Sequence, residues 1–248
     1  MKLLEGKVAI VTGASRGIGR AIALGFAQQG ARLVLNASTL SDALSETQDQ
    51  VRELGAECAL ACGPVQEAAS ARLMVSTAAD RFGGLDILVN NAGVTRDKPL
   101  LLMTEEEFDL VHAVNMRGVY QCSREAVREM MKKRSGRIIS ISSISAISGR
   151  PGQCNYAAAK AGVVGFTKSL AREVGKQNIL VNALLVGVID TAMTKSMQPA
   201  TKAEVQRVIP LNRIGRAEEV AGPCVFLASD FSTFVTGTTI NISGGGYV

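Results

Sequence analysis

Apolar runs rich in β-forming residues recur along the chain at Lys7–Val11, Arg32–Asn36, Glu57–Ala61, Ile87–Val89, Arg137–Ser142, Ile179–Leu185 and Thr239–Ile242, with helical stretches between most of them. Strand and helix in alternation leave few architectures open. Right-handed crossovers set each helix against one face or the other of a parallel sheet. The pattern therefore predicts an α/β fold, a doubly wound parallel sheet of about seven strands with helices on both faces. The helices carry their own punctuation. Gly30 and Gly55 are placed to stop the first two, and Thr104-Glu105-Glu106-Glu107 reads as a capping box that satisfies amide donors at a helix start. A chain of 248 residues is long enough for one such domain, and no internal repeat or Pro-rich linker divides it. Residues 1–248 are read as a single domain.

Composition narrows function by exclusion. The longest apolar stretch, Ile179 to Ile189, is broken by Asn182 and falls short of the roughly 18 residues a membrane span needs. Met1 to Gly6 lacks the apolar run of a signal peptide, so the expected location is cytoplasmic. The cysteines Cys58, Cys62, Cys122, Cys154 and Cys224 are odd in number and have no zinc-ribbon or CxxC spacing, so no disulfide framework or metal site is expected. A formal charge of +5, with no nucleic-acid-binding motif beside it, points to an acidic partner or a phosphorylated cofactor rather than to DNA or RNA.

Thr12-Gly13-Ala14-Ser15-Arg16-Gly17-Ile18-Gly19 lies directly between the first strand and a helix rich in small apolar residues. A strand, a glycine-rich turn and a helix N-terminus together form an anion cradle, because backbone amides and the helix dipole converge where no Cβ intrudes. Gly13, Ser15, Arg16, Gly17, Ile18 and Gly19 are therefore candidate dinucleotide-binding residues in a Rossmann-type sheet. The same letters contain GxSxG, the nucleophile elbow of α/β-hydrolases. Context opposes that reading, since the motif follows the first strand and the only histidine is His112, mid-helix. At the end of the second strand, Leu35-Asn36-Ala37-Ser38 holds no acid to bind a ribose 2′-hydroxyl and repel a 2′-phosphate. With Arg16 and Ser38 available to a phosphate, NADP(H) is the expected cofactor.

Tyr156 and Lys160 are four residues apart in Asn155-Tyr156-Ala157-Ala158-Ala159-Lys160, a spacing that puts both on one helix face. A phenol titrates near pH ~10, and a neighbouring ammonium favours the phenolate, so the pair is a candidate proton donor and its tuner. Hydroxyls of Ile139-Ser140-Ile141-Ser142-Ser143 and the turn Asn90-Asn91-Ala92-Gly93 close two other strands at the same carboxyl edge, where such sheets bind ligands.

With these motifs in one order and spacing, the chain resembles the short-chain dehydrogenase/reductase family from end to end. The resemblance implies a catalytic tetrad of Asn115, Ser143, Tyr156 and Lys160, hydride transfer from NADPH to a carbonyl carbon, and a proton from Tyr156 to the carbonyl oxygen. Ser143 would hold that oxygen, Lys160 the nicotinamide ribose, and Asn115 a water chain. It also implies cofactor contacts at Asn91, Ala92, Gly93, Tyr156, Lys160, Ile189 and Thr191, and substrate contacts at Ser143, Gln153 and Tyr156. Within the family, the runs Asn90 to Asp97, Met130 to Arg137, Gln153 to Tyr156 and the glycine-rich tail ending Tyr247-Val248 are most similar to the β-ketoacyl-acyl-carrier-protein reductases of fatty-acid synthesis.

That likeness implies a 3-oxoacyl thioester as substrate, an acyl carrier protein as partner, with Lys132, Lys133 and Arg134 as a basic docking cluster, and a homotetramer. The tetramer would pack the helix after Tyr156, with its small Ala161, Gly162 and Gly165, and the last strand across twofold axes. Three positions depart from the pattern. Val186-Gly187 stands where Pro-Gly is usual, Gly63 follows the third strand in place of an acid, and Gln177 replaces a basic residue. Reduction of another ketone, and a non-catalytic NADP(H)-binding subunit, are the competing functions. The polar stretch from Ala192 to about Pro210 is read as a mobile lid.

Overall fold

The computed structural model describes residues 2–195 and 199–246. Tyr247 and Val248 of the tail, and part of the expected lid, lie outside them. The elements run β1 (Val8–Val11), α1 (Gly17–Gln28), β2 (Arg32–Leu35), α2 (Asp42–Glu53), β3 (Cys58–Leu60), α3 (Ala68–Phe82) and β4 (Ile87–Asn90). They continue through α4 (Glu105–His112), α5 (Gly118–Lys133), β5 (Gly136–Ser143), α6 (Ser145–Ser148), α7 (Cys154–Val174), β6 (Ile179–Val186), α8 (Ala192–Lys195), α9 (Pro199–Arg207), α10 (Glu218–Ala228) and β7 (Thr239–Ile242). Every pairing is parallel, in the order β3-β2-β1-β4-β5-β6-β7.

Strand periodicity of two divides the core into two layers. Ala9 and Val11, Leu33 and Leu35, Ile87 and Val89, and Ile139 and Ile141 face one layer, packed under Ile22 and Phe26 of α1, Leu44 of α2 and Val220 and Cys224 of α10. Val8 and Ile10, Val34, Leu88 and Ile138 face the other, under Met74 of α3, Cys122 and Met130 of α5 and Ala171 of α7. Burial on both faces explains why these strands read as continuous apolar runs rather than alternating ones.

The sheet order reverses between β1 and β4. At such a reversal the connecting loops leave in opposite directions and open a crevice at the carboxyl edge. β6 runs on to Val186, which pairs with Ser143 and with Ile242. A proline there would have no N–H to give to a ladder. The capping box forms as expected, with Glu107 N–H donating to Thr104 Oγ1 at 3.3 Å and Thr104 N–H to Glu107 Oε2 at 3.1 Å. Of the expected lid, α8 and α9 are helical and residues 208–210 form a turn. The cysteines are all free.

Candidate active site

The glycine-rich loop crosses the β1/β4 crevice. Its helix starts at Gly17 with no side chain capping the first turn, so amide donors face outward where an anion would sit. A Cβ on Gly19 would lie 2.1 Å from the Gly13 carbonyl oxygen, and one on Gly17 would lie 3.3 Å from Thr191 Cγ2. Thr191, after β6, thus faces the loop across the cradle. Its position is pinned by Thr194, whose hydroxyl accepts from Thr191 N–H at 2.9 Å and donates to the Ile189 carbonyl at 2.7 Å. Ile189 is itself buried.

Asn91 ties two loops together. Its side-chain amide donates to the carbonyls of Thr12 at 2.9 Å and Gly13 at 3.1 Å, while Thr12 Oγ1 accepts from the backbone of Asn91 and Ala92. These bonds clamp the NNAG turn onto the glycine loop. Arg20, in the first turn of α1, makes a second clamp. Its guanidinium donates to the Ser15 carbonyl at 2.8 Å, the Ala43 carbonyl at 2.9 Å and Thr47 Oγ1 at 2.9 Å. Arg16 and Ser38 are exposed beside the cradle, and Arg16 makes no ion pair among the described residues. Donors and shape fit a dinucleotide.

Beyond β3, Asn36 donates to the carbonyls of Ala61 at 2.9 Å and Gly63 at 3.0 Å. Gly63 has φ +154°, and a Cβ there would meet Ser70 Oγ at 2.3 Å. Ser70 therefore fills the space that an acidic side chain at position 63 would need.

Of the expected tetrad, Tyr156 and Lys160 stand on α7, Ser143 ends β5, and Asn115 lies in the helical segment between α4 and α5. That segment, Ala113–Arg117, is a turn of π-helix, a local widening that is frequent at functional sites. It carries Asn115, fully buried, to the strap after β4. Asn115 Nδ2 donates to the Val94 carbonyl at 2.8 Å, and its Oδ1 accepts from Val94 N–H at 2.9 Å. Gly93 is the residue between: a Cβ there would lie 2.8 Å from Asn115 Oδ1 and 3.5 Å from Lys160 Nζ. Lys160 is buried, with its ammonium donating to the Ile141 carbonyl at 2.7 Å and standing 5.7 Å from the centre of the Tyr156 ring.

Burial dominates the electrostatics of the pair. Burial lowers Lys160 to about 8, and burial also raises the half-buried Tyr156 phenol above its ordinary value, the Asp97 charge adding to the rise and a hydrogen bond from Ser143 opposing it. Burial within the protein therefore favours the neutral phenol. A protonated phenol is the form that can donate.

Two further groups are engaged within the chain. Gln153 is buried, with its amide committed within the protein: Nε2 donates to Asp97 Oδ2 at 2.7 Å and Oε1 accepts from Ser145 Oγ at 2.9 Å. In the basic cluster, Lys132 is paired with Glu129, Lys133 with Asp86, and Arg134 donates to the Lys176 carbonyl at 3.2 Å. The hydrolase reading falls away. His112 stacks on Phe108 at 4.4 Å between ring centres, engaged with a neighbour on its own helix rather than with a serine.

Residues 13–247 match a family model described as "Enoyl-(Acyl carrier protein) reductase". A 3-oxoacyl-[acyl-carrier-protein] reductase FabG of Vibrio cholerae is 44% identical over 99% of this chain and 99% of its own length. The Escherichia coli K12 protein of the same name is 43% identical over 98% of both. The chain belongs to the short-chain dehydrogenase/reductase family. Its backbone also superposes on a crystal structure assigned as a short-chain alcohol dehydrogenase of Sinorhizobium meliloti 1021, at a TM-score of 0.94 and 35% identity, covering 98% of this chain and 97% of that one. As a short-chain dehydrogenase/reductase it is an oxidoreductase acting on the alcohol–carbonyl pair, and family membership implies a nicotinamide cofactor.

Proposed function

We propose that the chain reduces a 3-oxoacyl thioester carried on acyl carrier protein to the 3-hydroxyacyl thioester, with NADPH as cofactor, as one step of fatty-acid synthesis in the cytoplasm. One observation carries the reading. Tyr156 and Lys160 share one face of α7, with the buried Lys160 ammonium 5.7 Å from the centre of the Tyr156 ring and bonded to the Ile141 carbonyl, in a chain 41–44% identical to proteins named for that reaction over nearly their whole length.

NADPH supplies the hydride when bound. The chain's residues do the rest. Ser143 donates a hydrogen bond to the carbonyl oxygen, and Tyr156 gives it a proton as negative charge develops there. Lys160 binds ribose hydroxyls and passes a proton to the phenol. Asn115 holds Val94, and with it the strap over Lys160, and its remaining N–H and lone pair serve the water chain that restores the proton. Gly13, Ser15, Gly17, Ile18, Gly19, Ala92, Gly93, Ile189 and Thr191 line the dinucleotide, while Arg16 and Ser38 select the 2′-phosphate. The absence of an acid after β2 supports that selection. No helix among the described residues is long and apolar enough to cross a membrane.

The family model's own description favours a second reading, reduction of a carbon–carbon double bond. One panel separates the two. Acetoacetyl and crotonyl thioesters, and simple ketones, are offered with NADPH and with NADH, and cofactor oxidation is followed optically. The proposal expects acetoacetyl thioester with NADPH to be the fastest pair. Preference for the crotonyl thioester would overturn it.

A further inference from the structure

We propose that Asp97 is a positioning residue for this reaction: through Gln153 and Ser145 it fixes which way the Ser143 hydroxyl points. The inference rests on the reductase reading for its kinetic consequence, though its geometric part stands alone. Asp97 lies on the strap after β4, exposed to solvent, and was assigned no part in the tetrad. An exposed carboxylate is ordinarily free to wander. This one accepts from Gln153 Nε2 at 2.7 Å, and its neighbours are tied to the same helix start. Asn155 Nδ2 donates to the Arg96 carbonyl at 3.0 Å, and Lys98 N–H donates to the Gly152 carbonyl at 2.9 Å.

Polarity gives the chain of bonds its meaning. A carboxylate can only accept, so it holds the NH2 side of the buried Gln153 amide and prevents that amide from turning over. The amide oxygen must then face Ser145, whose hydroxyl donates to it at 2.9 Å. The peptide N–H of the same Ser145 donates to Ser143 Oγ at 3.1 Å. With a lone pair occupied from behind, the Ser143 hydroxyl directs its proton forward, toward the phenol and toward any carbonyl oxygen beside it. A flipped Gln153 would set its amide oxygen against the Asp97 carboxylate, two acceptors face to face, and would force the Ser145 hydroxyl to turn round and accept.

Two substitutions and two readouts test this. In Asp97→Ala the acceptor is gone. We expect kcat for a 3-oxoacyl thioester to fall about tenfold, with NADPH affinity unchanged, and backbone hydrogen exchange between Ser143 and Gln153 to quicken. Asp97→Asn keeps an oxygen able to accept from Gln153, and should recover most of the rate and most of the exchange protection. Ser145→Ala should lower kcat by a similar factor, and the double variant Asp97→Ala/Ser145→Ala should be little worse than either alone, as members of one relay are non-additive. Wild-type kcat and wild-type exchange in Asp97→Ala, or fully additive losses in the double variant, would overturn the proposal. Exchange that quickens in Asp97→Ala as expected, beside an unsubstituted protein that reduces no 3-oxoacyl thioester, would sink the functional reading while leaving the relay in place.

Discussion

Lys160 shows how a side chain can serve chemistry against the interest of the fold. Its ammonium is buried and lowered to about 8, whereas a lysine in the unfolded chain titrates near ~10.4. Between those values the unfolded state binds more protons, so native stability rises with pH across that window. Below about 8 both states are charged, and the full penalty, about 3 kcal/mol, is present. Lys160→Met is therefore expected to be inactive yet more stable than wild type at neutral pH, with the difference shrinking as pH climbs toward 10. Urea unfolding of both proteins at several pH values measures it; a destabilised Lys160→Met at pH 7 would show that the bond to the Ile141 carbonyl outweighs the desolvation.

At the scale of elements, the glycine loop depends on contacts that leave no room for change. Because the Cβ of Gly19→Ala would lie 2.1 Å from a backbone oxygen, no rotamer can relieve it. We expect a stability loss of about 1–3 kcal/mol and at least tenfold weaker NADPH binding, read by denaturation and by fluorescence titration. Asn91→Ala would leave the Thr12 and Gly13 carbonyls without their donor, a loss of about 1–3 kcal/mol. Strands were legible in the sequence to within a residue at each end, because burial on both faces writes itself as an unbroken apolar run. The glycine loop was legible from its place between β1 and α1, and Tyr156 with Lys160 from their four-residue spacing, whereas Ser143 was singled out among neighbouring serines only by the family resemblance. The π-turn at Ala113–Arg117 was not, since a shift in backbone register has no side-chain signature. Arg20 and Asp97 were missed for a related reason. Their partners, Thr47 at 27 residues' separation and Gln153 at 56, become neighbours only after the sheet is assembled.

For the whole molecule, one expectation remains to be tested: a homotetramer. Phe234 is fully exposed and Phe231 is 68% exposed, both close to β7. On α7, Ala161 is exposed and Gly165 opens onto free space, whereas Gly162 is already packed against Met116 within the chain. Exposed aromatics beside a last strand and small residues on an outward helix face suit association across twofold axes. Sedimentation is expected to give about four times the 26.0 kDa of the chain, and Phe234→Glu to shift the mass downward. A wild-type monomer would contradict the assembly without touching the chemistry.

The chemistry itself stands on the Tyr156 hydroxyl. NADPH oxidation should be followed with a 3-oxoacyl thioester in wild type and in Tyr156→Phe, with NADPH affinity measured for each. The expected result is a rate lower by about 10²–10⁴ in the variant, with cofactor affinity retained, since the ring keeps its packing and loses only the proton it donates. Turnover at the wild-type rate without that hydroxyl would contradict the mechanism.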